Sequence, residues 1–166
     1  VEYVLCPSVL SQEMQSKAEE IAIRTAEAYD ICGLLAVELF VTADGEILVN
    51  EVAPRPHNSG HHTIEACYTS QFEQHVRAVL DLPLGSTELK VAGVMANLVG
   101  AEGHSGDVVY QGYDELLGEP GVNIHIYGKA QTRPFRKMGH VTVVAKDRDE
   151  ARKRAEWAKN SILVKS

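Results

Sequence analysis

The stretch Leu34-Leu35-Ala36-Val37-Glu38-Leu39-Phe40-Val41-Thr42, followed by Ala43-Asp44-Gly45-Glu46 and then by Ile47-Leu48-Val49-Asn50-Glu51-Val52-Ala53, decides the fold. Two β-rich runs flank an Asp-Gly pair, the strongest two-residue hairpin signal. With Asp44 and Gly45 as the loop, counting outward sets Ala43 against Glu46, Thr42 against Ile47, Phe40 against Val49 and Glu38 against Glu51. Directly opposed side chains lie about 4.5–5.5 Å apart at Cβ. Two carboxylates at about 4 Å repel by roughly 4 kcal/mol at an effective dielectric of about 20, so an unrelieved pair is a poor structural choice. A hard divalent cation removes that penalty. Oxygen ligands favour magnesium, or manganese, over zinc, and magnesium held by one or two carboxylates usually holds substrate phosphates as well. The hairpin therefore points to nucleotide chemistry. The alternative is a slipped register or a bulge that puts the glutamates on opposite faces, each solvated or paired with Lys or Arg.

Directly behind Glu51 the chain runs Pro54-Arg55-Pro56-His57-Asn58-Ser59-Gly60-His61-His62. The two prolines hold this loop extended and present Arg55, His57 and Asn58 beside the carboxylates. Arg suits planar, bidentate recognition of carboxylate or phosphate, and His and Asn add hydrogen bonds, so the composition suits an anionic reactant. Reading His57, His61 and His62 as a zinc cluster is the bland alternative, but no His-Glu-x-x-His and no paired Cys-x-x-Cys accompanies them.

Three stretches together carry a resemblance. They are Gly33 to Val41, then Asn50-Glu51 through Thr63-Ile64-Glu65-Ala66-Cys67, then Ser70-Gln71-Phe72-Glu73-Gln74-His75. With Tyr127-Gly128-Lys129 and Arg136-Lys137-Met138-Gly139-His140-Val141-Thr142 near the end, the sequence resembles the 5-(carboxyamino)imidazole ribonucleotide synthase family of ATP-grasp enzymes along essentially its whole length. These are the ATPase subunits of phosphoribosylaminoimidazole carboxylase. The resemblance implies an α+β fold: the C-terminal lobe of an ATP-grasp domain, an antiparallel sheet flanked by helices, followed by a small β-rich C-terminal domain.

It also implies roles. Glu38 and Glu51 would hold the magnesium ions that bridge the ATP phosphates, and Asn50 with Glu51 would lie against the nucleotide. Arg55 and His57 would line the space where bicarbonate becomes carboxyphosphate and meets the aminoimidazole, with Asn58 beside them. Lys129 and Arg136 would bind the 5′-phosphate of 5-aminoimidazole ribonucleotide. Many ATP-grasp relatives carry Glu-x-Asn after the second strand, whereas the third place here is Ala53, which weakens a reading as a biotin carboxylase and leaves metal number open. The expected reaction is an ATP-dependent carboxylation in purine biosynthesis. The formate-using ATP-grasp transformylase of the same pathway shares the hairpin and the Arg-Pro-His loop, but Asn58 to His62 fits the bicarbonate enzyme better. A non-catalytic metal- or phosphosugar-binding module is the rival outside the enzyme class.

No Walker A loop is present, and no counterpart of the central ATP-grasp lobe with its phosphate-binding lysines. The chain therefore reads as the C-terminal part of a longer protein, carrying half an active site, with a homodimer as the expected association. At 166 residues and 45% hydrophobic it can bury one ordinary core and a smaller second one. A net charge of −7 argues against nucleic acid as main partner. The three cysteines, Cys6, Cys32 and Cys67, form no disulfide framework and suit reduced thiols in the cytoplasm. No apolar run approaches the roughly 20 residues of a membrane span.

The organisation follows from punctuation and period. The run Asp81-Leu82-Pro83-Leu84-Gly85-Ser86-Thr87 divides the chain into residues 1–81 and 82–166. A helix over 11–29 is expected from Met14, Ala18, Ile21, Ala22, Thr25 and Ala28. Ser70 with Glu73 signals a second helix, whose stripe Phe72, Val76, Val79 and Leu80 is expected to pack. Strands are expected over 90–98, 122–127 and 138–145, and a last helix over 147–161 whose charges follow the helix dipole and need no ligand. Lys129 and Arg136 flank the turn Gln131 to Phe135. On spacing alone they are either a phosphate clamp or solvated cations.

Overall fold

The computed structural model describes residues 2–166. The chain forms two compact units, Ser8–Glu88 and, with the residues up to Pro7, Leu89–Ser166. Its elements in order are β1 (Tyr3–Cys6), α1 (Gln12–Ala28), β2 (Ala36–Val41), β3 (Ile47–Ala53), a 3₁₀ turn (Asn58–Gly60), α2 (Thr63–Ala66), α3 (Gln71–Val79), β4 (Ala92–Val99), β5 (Gly106–Asp107), β6 (Val109–Gln111), a second 3₁₀ turn (Asp114–Leu116), β7 (Val122–Ile126), β8 (Gln131–Thr132), β9 (Lys137–Ala145), α4 (Arg148–Ser161) and β10 (Leu163–Lys165). The mixed helix and antiparallel-sheet architecture is the α+β fold read from the sequence.

In the unit Ser8–Glu88 the Ser11 hydroxyl accepts from the Met14 N–H and starts α1. Met14, Ala18, Ile21, Ala22 and Thr25 form its half-buried stripe, while Ala28 is exposed. The helix runs along the β2–β3 hairpin, leaving an open groove of about 420 Å³ lined by Ile21, Arg24, Thr25, Ala28, Ile47 and Val49. The Ser70 hydroxyl likewise accepts from the Glu73 N–H to start α3, but the Glu73 carboxylate turns to Arg77 instead of closing the capping box.

The expected packing of Phe72, Val76, Val79 and Leu80 does not hold, for these side chains are 42–63% exposed. The inward side of α3 is the polar spacing Gln71, Gln74, His75 and Ala78. Its groups hold backbone: the Gln74 amide accepts from Gly85 N–H and donates to Gly85 C=O, and His75 Nδ1 accepts from Leu34 N–H. With the helix tied down through that side, the apolar stripe faces out.

The second unit is built on one antiparallel sheet of order β1-β4-β9-β7. Strands β4 and β9 pair through Met95↔Thr142, Ala96↔Val141 and Asn97↔His140. On one face Val94, Ala96, Leu98, Val141 and Val143 pack with Ala151, Ala155 and Ala158 of α4, Leu116 and Val164. The alanines recur at i, i+4 and i+7, so the helix lies close against the sheet. Asp147 caps it by accepting from the Glu150 N–H at 2.9 Å. The expected division at 81/82 differs from these units in two respects. Strand β1 pairs with β4 from across the whole of the other unit in sequence, and residues 82–88 stay with α3 because Gln74 clamps Gly85.

Candidate functional site

The turn of the hairpin is longer than Asp44-Gly45. Thr42 N–H donates to Glu46 C=O, Gly45 N–H donates to Thr42 C=O, and Gly45 takes a φ of 84° that glycine adopts freely. This moves the register by one: Val41 faces Ile47, Phe40 faces Leu48 and Leu39 faces Val49, so the expected pairs Thr42–Ile47 and Phe40–Val49 are not formed. A β-bulge at Asn50 then adds one residue to β3 and restores Glu38↔Glu51. The two irregularities cancel. A bulge was the feature expected to separate the glutamates, and here it aligns them.

An inserted residue breaks the alternation of side chains. Asn50 accordingly reaches the side of Glu38 and donates from Nδ2 to Oε2 at 3.3 Å. Carboxylate oxygens of Glu38 and Glu51 and a ring nitrogen of His57 all lie within 4.8 Å of one another. His57 Nε2 stands 3.4 Å from Glu38 Oε1. Neither carboxylate pairs with Lys or Arg among the described residues. The donor set fits a hard divalent cation, with Glu38 and Glu51 as oxygen ligands. On β2 and β3 the face that carries Glu38 also carries Phe40 and Leu48, which are 59% and 49% exposed. An open apolar shelf thus adjoins the carboxylates.

His57 sits where the loop turns. Its C=O accepts from Gly60 N–H to start the 3₁₀ turn, and its Nδ1 accepts from Ser59 N–H as a side-chain cap. The Gln71 amide accepts from His57 N–H and donates to His57 C=O, both at 2.8 Å, and also donates to His61 Nδ1. A Cβ at Gly60 would lie 2.5 Å from Gln71 Oε1, so glycine there leaves room for the clamp. His62 donates from Nδ1 to Ser59 C=O at 2.9 Å, and its burial pushes the imidazole pKa below the usual value. The three histidines therefore do different work: His61 stacks on Phe72, His62 is a half-buried hydrogen-bonding group, and only His57 joins the carboxylates. Ser59 and Gln71 join the expected site residues through the structure. The polar spacing of α3 and the His-x-Ser pattern ahead of Gly60 were the signals available.

Arg55 is exposed and donates to the Pro56 carbonyl at 3.0 Å, with no bond to either carboxylate. Asn58 is half-buried, its carbonyl accepting from His61 N–H. In the other unit, Lys129 donates to the Lys137 carbonyl at 2.6 Å, and Arg136 donates to the Gln131 carbonyl at 2.8 Å. Partial desolvation, followed by the charges of Arg136, Arg133 and Lys137, holds the Lys129 ammonium below its ordinary pKa. The turn therefore gathers cations and brings Lys129 and Arg136 into one field.

A bulged hairpin with paired carboxylates, followed by an Arg-Pro-His loop and a separate sheet unit, corresponds to the closing part of an ATP-grasp enzyme, and residues 1–72 match the ATP-grasp domain family. Residues 93–154 match the phosphoribosylaminoimidazole carboxylase C-terminal domain. The chain thus carries an ATP-grasp region followed by this second domain. It is 47% identical over 146 residues to N5-carboxyaminoimidazole ribonucleotide synthase of Bacillus subtilis, covering 88% of this chain and 37% of that protein. The N5-carboxyaminoimidazole ribonucleotide synthetase structure from Thermotoga maritima superposes with a TM-score of 0.93 at 51% identity, over 99% of this chain and 46% of that one. The Aspergillus clavatus N5-carboxyaminoimidazole synthase, solved with ADP and 5-aminoimidazole ribonucleotide, gives a TM-score of 0.83 at 36% identity, over 96% of this chain and 43% of that one. The chain thus spans less than half the length of these relatives. No helix among the described residues is long and apolar enough to cross a membrane.

Proposed function

We propose that this chain supplies part of the active site of an ATP-dependent ligase of purine biosynthesis, which carboxylates 5-aminoimidazole ribonucleotide with bicarbonate. The observation that carries the reading is the convergence of Glu38, Glu51 and His57 within 4.8 Å on a bulged hairpin. Glu38 and Glu51 hold Mg²⁺, or Mn²⁺, which when bound neutralises and orients the ATP phosphates. Asn50 and Glu51 face the nucleotide, and the Phe40–Leu48 shelf is an apolar seat beside the phosphates.

The reaction divides into two transfers. Bicarbonate oxygen takes the γ-phosphoryl group of ATP, giving carboxyphosphate and ADP. The exocyclic amine of the ribonucleotide then attacks the carbonyl carbon, phosphate leaves, and the nitrogen gives up a proton. Transfers of this kind depend on positioning and charge stabilisation. Arg55, free to swing from the Pro56 carbonyl, neutralises the transferring anion, and His57 with Asn58 orients the carboxylated species. Lys129 and Arg136 clamp the ribonucleotide 5′-phosphate. The complex of the Aspergillus relative with ADP and 5-aminoimidazole ribonucleotide supports this substrate pair. The remaining part of the active site comes from elsewhere in the same protein, a cytoplasmic enzyme that acts as a homodimer. The chain by itself turns over no ATP.

The test is Glu51→Gln in the full-length protein. ATP turnover with bicarbonate and the ribonucleotide should fall by at least about a hundredfold, because the charge that holds the metal is lost. Circular dichroism should stay unchanged, since Glu51 is exposed. Retained turnover would remove Glu51 from the site.

A further inference from the structure

The His57 ring is held at both nitrogens. Nδ1 stands 2.9 Å from Ser59 Oγ and 3.4 Å from the Ser59 backbone nitrogen, which donates to it. A backbone N–H has no lone pair, so Nδ1 must present its own and is unprotonated. The neutral ring then carries its proton on Nε2, the atom 3.4 Å from Glu38 Oε1. Turning the ring over would exchange both nitrogens for carbons and lose all three contacts. The backbone beneath the ring is fixed as firmly. Gln71 is only 7% exposed and grips the His57 N–H and C=O, while the Gly60 site has no space for a side chain that would displace the amide.

We infer that Ser59 and Gln71 are positioning residues that fix His57 as its Nε2–H tautomer facing Glu38, making it a hydrogen-bond donor to the anionic site and neither a metal ligand nor a proton acceptor there. A ligating nitrogen needs the lone pair that Nε2 lacks in this tautomer. The metal is left to the carboxylates, and His57 steadies Glu38 from behind or donates to a bound anion. This assignment rests on the proposed function only for the identity of that anion.

Nitrogen-15 NMR of the full-length protein, labelled at histidine and kept free of metal and nucleotide, reads the tautomer directly. The expected spectrum of His57 has a bare Nδ1 and a protonated Nε2. A neutral ring protonated at Nδ1 would overturn the assignment, whatever reaction the enzyme performs. Ser59→Ala leaves only the longer backbone N–H contact on Nδ1, so it should weaken the hold on the ring, admit a minor Nδ1–H form and lower kcat about three- to tenfold, the worth of one hydrogen bond, with the KM for ATP within about twofold of wild type. Ser59→Thr, which keeps the hydroxyl, should restore both. Gly60→Ala, acting only through Gln71, should reproduce the Ser59→Ala signature in the His57 spectrum. A Ser59→Ala protein with one pure Nε2–H tautomer and unchanged kcat would refute the role of the hydroxyl. A protein with the expected tautomer but no carboxylation activity would uphold the ring assignment and count against the proposed reaction alone.

Discussion

The unit around β4 and β9 buries its apolar residues behind α4, whereas the unit around the β2–β3 hairpin leaves half of its own exposed and fully encloses almost none. In the first, Val94, Ala96, Leu116, Met138, Val141 and Val143 are fully buried. In the second, Ala66 and Cys67 are the buried apolar residues, and Phe40, Leu48, Phe72, Val76, Val79 and Leu80 stand about half exposed or more. Hydrophobic burial scales at roughly 25 cal/mol per Å², so the two units are held by different forces. The closed unit rests on its core. The open unit rests on side-chain clamps on backbone, Gln71 on His57 and Gln74 on Gly85, which give geometry more than stability. That difference suits their chemistry: the open unit presents carboxylates on an accessible hairpin, and the closed unit carries a cationic turn on a rigid sheet.

The largest effect should come from the closed core. Leu116→Ala removes a fully buried side chain from the core that the sheet shares with α4 and should cost about 2–5 kcal/mol. Urea unfolding followed by the fluorescence of Trp157, which lies on α4, reads this unit. A cost under about 1 kcal/mol would mean that the core is not the source of its stability.

The cationic turn should answer to substrate, not to folding. In the full-length protein, Lys129→Ala removes one charge-assisted donor, worth roughly 1.5–3 kcal/mol, and should raise the KM for 5-aminoimidazole ribonucleotide about ten- to a hundredfold. The KM for ATP should stay nearly unchanged. Arg55→Ala should instead lower kcat. Steady-state kinetics separates them, and a Lys129→Ala enzyme that loses ATP and keeps the ribonucleotide would reverse the assignment of roles to the two units.

How much of this the sequence discloses depends on range. Helices α1 and α4 and strands β4 and β9 are long, periodic and capped, and their positions follow from pattern. Strand β1 has four residues and a partner some ninety residues away, so nothing local announces it. The pairing of Glu38 with Glu51 is legible for an incomplete reason, because the longer turn and the bulge at Asn50 each shift the count by one and cancel. The packing role of Phe72, Val76, Val79 and Leu80 is misread because an apolar stripe marks the face a helix prefers to bury, and here polar side chains bonded to backbone take the inner side instead.

A smaller effect is expected from pH on the open unit. His62 has its pKa lowered from 6.5, chiefly by burial, against the raising influence of its bond to Ser59 and of Glu65. The unfolded chain therefore takes up a proton on His62 at a pH where the native chain does not. This contribution is complete above the unfolded value of 6.5 and is lost as pH falls from there toward the lower native value. Amide protection factors for residues 57–66 should drop between about pH 7.5 and 5.5, and His62→Gln should flatten the dependence. Protection that rises on acidification would contradict a half-buried His62 that folding keeps neutral.

The smallest effect should be Val76→Ser on the outer side of α3. A valine with 51% of its surface in water forfeits little transfer free energy on becoming serine, and the two residues differ by only a few tenths of a kcal/mol in helix propensity. The expected change in unfolding free energy of this chain is within about 0.5 kcal/mol, several-fold below the loss from Leu116→Ala. Gln74→Ala, two residues earlier and on the inner side, should cost more although it deletes a polar group, because it leaves the Gly85 N–H and C=O without their partner. Urea denaturation of the two variants side by side puts the inverted helix to the test. If Val76→Ser proves the more costly, the apolar stripe is the buried side and the account of how this unit holds together fails.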